Sequence, residues 1–249
     1  MKLLISGATA TLRALPGDAP VGHLVTPFTG NRLVEIARTG RMWAADNGCF
    51  NGFDRAAFLK MMEAIDNIHR PRGRHEYMRQ TAWSIGDYHW SGFSPCIPCF
   101  WIVAPDVVGD AEATLDLWNE WRYTVLCVAW RGWRDVAFVA QDGMKCSWVP
   151  WEKIGCLFLG GTDAYKESEA AYQLLKAAKG HNKWVHVGRV NSERRLRLFD
   201  DVVDSIDGTQ FSMFPNRYIP RWCERLKPSL RHRRQTTAIT LPMFQEEVA

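Results

Sequence analysis

Apolar residues fall along this chain in short unbroken runs, each closed by a polar residue or a glycine and followed by a helical pattern or a loop. Two runs, Cys99 to Ala104 and Val136 to Ala140, carry no polar alternation at all. Strands covered on both faces of a parallel sheet read this way, because neither side of the pleat meets water. Similar runs lie at Leu3 to Ser6, His23 to Phe28, Met42 to Ala45, Cys156 to Leu159, Trp184 to Val187 and Val202 to Ile206. Amphipathic stretches separate them: Asp54 to Ile68 with Asp54 as N-cap, Ala111 to Trp121, Ser168 to Lys179 ending at Gly180, and Ser192 to Phe199. The expected fold class is therefore α/β, a single (β/α)8 TIM-like barrel. An open doubly wound sheet is the competing architecture, since counting strands does not establish closure. No glycine-rich dinucleotide fingerprint or P-loop follows any run, which counts against that competitor.

Size agrees with one domain. The chain has 249 residues, 47% of them hydrophobic, enough for one sizeable core. We expect residues 1–228 to form the barrel, with a basic and aromatic insert at about 69–98, followed by a basic tail over 229–249. No leader and no spanning helix of roughly 20 apolar residues is expected, so the reading is a cytoplasmic protein without a membrane partner. Seven cysteines, an odd number scattered through apolar stretches, suit free thiols in a reducing compartment.

The net charge of +4 matters less than its distribution. One basic cluster holds Arg70, Arg72, Arg74 and Arg79, near Tyr77, Trp83, Tyr88, His89 and Trp90. The second runs from Arg217 through Arg221, Arg225 and Arg231 to Arg234, near Tyr218 and Trp222. Cations neutralise phosphates and aromatic rings stack on exposed bases, so the pair of segments points to nucleic acid.

A barrel keeps its reactive groups where strands end and loops begin. Those positions hold Asp46, Asp106, Gln141, the pair Gly160 and Gly161, Gly188 with Arg189, and Asp207. Converging carboxylates serve either a metal or a glycosidic bond. A metal site would call for histidines or a dense acidic motif of recognisable spacing, and neither is present. Glycosidic chemistry needs one carboxylate at the cationic sugar carbon and another to manage the leaving group's proton. Taken singly, any of these aspartates also suits an N-cap or a loop-ordering role.

The order Asp-Asn-Gly-Cys-Phe, Pro-Asp, Val-Ala-Gln-Asp-Gly, Leu-Gly-Gly-Thr and Asp-Ser-Ile-Asp-Gly, spread over Met42 to Phe214, resembles the queuine-type tRNA-guanine transglycosylases. It is more similar still to the shorter relatives that insert 7-deazaguanines into DNA in phages and bacterial modification islands. The resemblance implies Asp207 as the nucleophile at the sugar C1′ and Asp46 as general acid and base. It implies Phe50 as the aromatic against the base, Asp106 and Gln141 as readers of the purine edge, and Gly160 with Gly161 as backbone donors to its carbonyl. The tRNA enzymes carry a zinc subdomain with a Cys-x-Cys-x-x-Cys run and a later histidine. Here Cys96 and Cys99 are the only close pair, so no cofactor and no structural zinc is expected. That departure shifts the expected partner from tRNA to DNA, with a 7-deazaguanine as the incoming base. Arg189, Asn191 and His186 also depart from the tRNA enzymes. Arg189 reads as a phosphate ligand, and His186 as a satisfied core histidine or a ligand of the incoming base. The aromatic insert Tyr77 to Phe93 reads as a candidate wedge for flipping a base out of a duplex. A base- or sugar-releasing hydrolase and a catalytically silent nucleic-acid-binding barrel remain open as other classes.

Overall fold

The computed structural model describes residues 1–28, 33–37, 39–69, 99–131 and 135–226. Arg70, Arg72, Arg74, Arg79, the candidate wedge and Cys96 lie outside the described residues, as do Arg231 and the tail. Eight strands run in parallel: β1 (Lys2–Ile5), β2 (Val21–Val25), β3 (Trp43–Ala45), β4 (Cys99–Val103), β5 (Asp135–Ala140), β6 (Cys156–Leu159), β7 (Trp184–Val187) and β8 (Ser205–Ile206). Each pairs with the next, and β8 returns to β1 through Lys2↔Ser205 and Leu3↔Ile206, so the barrel is closed. The open sheet is excluded.

A ladder of two residues in β8 would hold little alone. Backbone bonds prolong the pairing on both sides: Lys2 N to Asp204 O at 2.7 Å, Asp204 N to Val185 O at 2.9 Å and Asp207 N to Val187 O at 3.3 Å. Ile206 is fully buried against the outer layer, and burial of such a side chain contributes roughly 1.5–3 kcal/mol.

Alternation sorts every strand into two cores. Leu4, Leu24, Ala44, Trp101, Val103, Ala137, Val139, Cys156 and Phe158 fill the barrel, while neighbours such as Leu3, Val25, Phe138, Leu157 and Val187 pack outward on helices. One irregularity has consequences for the site. Trp43 pairs with Cys99 but Ala45 with Ile102, so β4 carries an extra residue. Cys99 and Ile102 both face outward, and the bulge between them turns Phe100 and Trp101 inward together.

The helices are α1 (Thr9–Ala14), α2 (Leu33–Ala37), α3 (Arg55–His69), α4 (Ala111–Arg131), α5 (Asp163–Lys166), α6 (Glu169–Gly180), α7 (Glu193–Phe199), α8 (Thr209–Met213) and α9 (Pro215–Leu226). The expected cap forms, Asp54 accepting from Ala57 N at 2.9 Å, and Ser168 and Ser192, the first residues of their expected stretches, also cap by accepting from Ala171 N and Arg195 N at 3.2 Å. Helix α4 outruns its expected end at Trp121, because the buried stripe Trp118, Trp121, Val125, Ala129 continues at helical spacing beneath polar neighbours. The short helices α1, α2, α5 and α8 and the longer α9 are not among the expected stretches; in α9 two prolines and a dense arginine pattern mask the helical spacing. Its Ile219, Trp222 and Cys223 are buried. Trp222 packs on Phe211 at 4.9 Å and cannot serve as the stacking platform expected of it. No helix among the described residues is long and apolar enough to cross a membrane.

Candidate active site

Inward-facing positions recur every second residue, and the last of them on several strands step past the strand end into the barrel mouth. Ala44 leads to Asp46, Val139 to Gln141, Phe158 to Gly160, and Ser205 to Asp207. The mouth has two halves.

The half after β3, β4 and β5 is an interlocked carboxylate and amide cluster. Asn47 Nδ2 donates to Asp106 Oδ1 at 2.5 Å and to Ala104 O at 2.7 Å, and Gln141 Nε2 donates to Asp106 Oδ2. Gln141 Oε1 accepts from Gly109 N at 2.9 Å, which fixes the amide's orientation. Burial pushes the Asp106 carboxyl up to about 6, with the amide donors pulling the other way. Asp46 is half-buried, and its Oδ1 accepts from Asn47 N at 2.9 Å. Burial, then the charges of Asp207 and Asp106, push Asp46 up to about 7. A group poised there exchanges protons readily near neutral pH. Cys49 lies beside this cluster, and burial raises its thiol well above the usual range, so it is inert as a nucleophile.

The half after β7 and β8 centres on Asp207, whose side chain is 15% exposed. His186 Nε2 lies 3.0 Å from Asp207 Oδ2, and Arg189 N donates to Oδ1 at 3.0 Å. Arg189 reaches that position with φ 58, a left-handed conformation that a non-glycine residue holds at a cost. Two cations secure the turn: Lys166 Nζ on Gly188 O at 3.2 Å and Arg195 Nη1 on Arg189 O at 3.3 Å. The Arg189 guanidinium lies 4.5 Å over the ring of Phe50, which is 62% exposed at the rim. Phe50 thus sits at the rim of the mouth with Arg189 over its ring.

The two glycines have different duties. Gly160 N donates to Ala140 O at 2.9 Å, so its amide is spent within the barrel, contrary to its expected role as a donor. Its missing side chain matters instead, because a Cβ there would lie 2.7 Å from Gln141 Nε2. Gly161 N has no acceptor among the described residues. Its φ of +82 and the approach of Asp142 Oδ2, 2.4 Å from a would-be Cβ, admit only glycine. Asp142 holds this loop by accepting from Thr162 N at 2.8 Å and Thr162 Oγ1 at 2.5 Å.

Of the described basic residues, Arg189 stands at the mouth. Arg221 and Arg225 pair instead with Glu193, at 2.6 Å and 2.7 Å. The insert joins the end of α3 to the start of β4, and both attachment points lie at the barrel end away from the carboxylates. Reading the sequence missed Asn47, Ser205 and the engagement of His186 with Asp207. The first is signalled only by its place beside Asp46, and the others by inward parity on β7 and β8.

No three side chains of metal-ligand type gather among the described residues. A concavity of about 510 Å³ lined by Arg13 of α1, Glu35 of α2 and Arg41 opens at the end of the barrel where strands begin. Arg13 pairs with Glu35 at 3.0 Å, and Arg41 Nη2 donates to the carbonyls of Leu15 and Pro16, while its buried Nη1 has no partner among the described residues.

No protein-family model matches the chain, and no curated protein matches it. Solved structures do. Two crystal structures of tryptophan synthase from M. tuberculosis align over 90% of this chain and 88% of theirs. Their TM-scores are 0.52 and 0.53, at 14% and 13% identity. At that identity the likeness is one of fold, and it establishes the TIM barrel without specifying a reaction.

Proposed function

We propose that this barrel exchanges a purine base in nucleic acid, a guanine transglycosylase with DNA as substrate and a 7-deazaguanine as incoming base. The observation that carries the reading is the pairing in one mouth of two unlike aspartates. Asp207 is hydrogen-bonded at both oxygens, and Asp46 has its carboxyl raised to about 7.

An Asp207 oxygen attacks the sugar C1′, the bond from C1′ to the base nitrogen breaks, and its electron pair leaves with the guanine. Asp46 gives its proton to the departing base. The nitrogen of the incoming 7-deazaguanine then attacks C1′, displaces Asp207 and returns its proton to Asp46, so charge and protons balance over the cycle. Asp106 accepts from the N–H edge of the purine, while Gln141 and the Gly161 amide donate to its carbonyl. Phe50 covers the base and Arg189 meets an adjacent phosphate. In a duplex the guanine must first leave the stack. The ordered motifs at the strand ends support guanine chemistry, and the lack of the tRNA enzymes' zinc run favours DNA over tRNA.

The test incubates the protein with duplex DNA, single-stranded DNA or tRNA, each with labelled guanine or the 7-deazaguanine preQ0. Asp207-dependent incorporation into DNA is the expected outcome. Incorporation only into tRNA would correct the substrate. Free base with an abasic product would make the protein a hydrolase, and no Asp207-dependent reaction on any of the three would end the proposal.

A further inference from the structure

Behind Asp207 runs a line of side chains that base exchange does not itself require. Trp184 Nε1 lies 2.8 Å from Ser205 Oγ, Ser205 Oγ 2.8 Å from His186 Nδ1, and His186 Nε2 3.0 Å from Asp207 Oδ2. The line combines serine, histidine and aspartate, the set used by many hydrolases, but in the reverse order relative to the cleft. Ser205 is fully buried and already takes the indole proton on one lone pair, so it is no nucleophile. The exposed end is the carboxylate.

The donors in this line follow from elimination. An indole N–H only donates, so Ser205 Oγ accepts from Trp184. The hydroxyl proton of Ser205 then needs an acceptor in a buried setting, and leaving it without one costs about 1–3 kcal/mol. His186 Nδ1 is the acceptor within reach, which requires that nitrogen to be bare. The imidazole proton therefore sits on Nε2 and points at Asp207 Oδ2. The opposite tautomer would set a bare Nε2 lone pair against the carboxylate.

Packing holds the imidazole to this direction. Its ring centre is 4.5 Å from that of Phe158 and 5.1 Å from that of Trp101, the residue turned inward by the bulge in β4. Gly188 lets Phe158 approach, because a Cβ there would come within 2.6 Å of the ring. The Arg189 amide holds the other oxygen, so the carboxylate is gripped on both sides.

We infer that His186 is a positioning residue, locked by Ser205 and Trp184 as an Nε2–H donor that aims the Asp207 carboxylate at its reaction partner. The kinetic part rests on the proposed role of Asp207; the proton placement stands apart from it.

Two measurements separate these. Nitrogen-15 NMR of the folded protein reads the tautomer without any activity. A protonated Nε2 with a bare Nδ1, changed in Ser205→Ala, is the expected result, whereas a proton on Nδ1 in the wild type overturns the inference. Single-turnover base exchange reads the consequence. His186→Leu, with its fold checked by thermal melting, should lower the rate by about 100-fold with little change in KM, as misdirection of a reacting group does. His186→Gln, whose amide N–H can replace Nε2–H, should recover part of it. A folded His186→Leu protein with the wild-type rate defeats the inference. If the wild type exchanges no base at all, the proposed function fails and the NMR result alone decides the proton placement.

Discussion

The two halves of the barrel mouth use the same residue type to opposite ends. Around Asp207, a backbone amide and an imidazole each grip one oxygen, and the carboxylate is presented to the mouth in a fixed direction. Burial raises both Asp46 and Asp106, to about 7 and about 6; the charges of Asp207 and Asp106 push Asp46 further, whereas amide donors hold Asp106 back. Environment, not residue identity, separates the two, and on the proposed function that separation is what would divide nucleophile from proton carrier.

Asp207→Asn should break the contrast most severely, removing base exchange by roughly ten-thousand-fold or more while the melting temperature hardly moves. Single-turnover assays beside thermal melts check it. Asp46→Asn should cost about 100- to 10,000-fold in guanine release. In the wild type, the acid form of Asp46 is lost as pH rises through about 7, so release should slow about tenfold per pH unit above that point. The variant should lack this limb, and an unchanged profile would remove Asp46 from the mechanism.

Asp46 also makes a prediction on stability with a definite sign. Its unfolded carboxyl ionises near 3.8 and the folded one near 7, so the native state holds a proton that the unfolded chain has released. The stability conferred by that proton is full below the lower value, lost as pH rises between the two, and constant above. Denaturant melts should therefore find Asp46→Asn more stable than wild type by about 4 kcal/mol at pH 8, and little different near pH 4. Gly161→Ala should destabilise by about 1–2 kcal/mol, since φ of +82 and Asp142 both oppose a side chain. The smallest effect belongs to Arg189→Ala. It removes the guanidinium from Phe50 but keeps the amide on Asp207, so DNA affinity should fall by less than about 1 kcal/mol, with the fold intact. A large loss of rate would mean that the side chain, too, serves Asp207.

How much of this was legible beforehand varied with range. All eight strands stood out as apolar runs, and Asp54 announced its helix as a cap, because a cap is chosen by residues within one turn. Helix α9 stayed hidden, because Pro215, Pro220 and the arginines dominate its local pattern while burial of Ile219 and Trp222 against the barrel stabilises it. Trp222 consequently changed from a surface aromatic to core. Asp46, Gln141 and Asp207 were visible because alternation carries inward parity past a strand end. Asn47 was not, since its importance lies in reaching Asp106, 59 residues away. His186 was foreseen as a satisfied core histidine. Its partner at the mouth end is Asp207, which no local pattern reveals.

The chain by itself thus determined the parallel strands, the order of the strand ends and the set of acids, amides and glycines found there, all of which depend on neighbours within a few residues. Only the tertiary structure decided that the sheet closes, that Gly160 spends its amide inside the barrel, and that a bulge turns Trp101 under His186. It alone decided which aspartate is gripped and which is desolvated. Closure brings β8 against β1 and residues dozens of positions apart into hydrogen-bond range, and the energies of buried charges depend on that proximity rather than on sequence spacing.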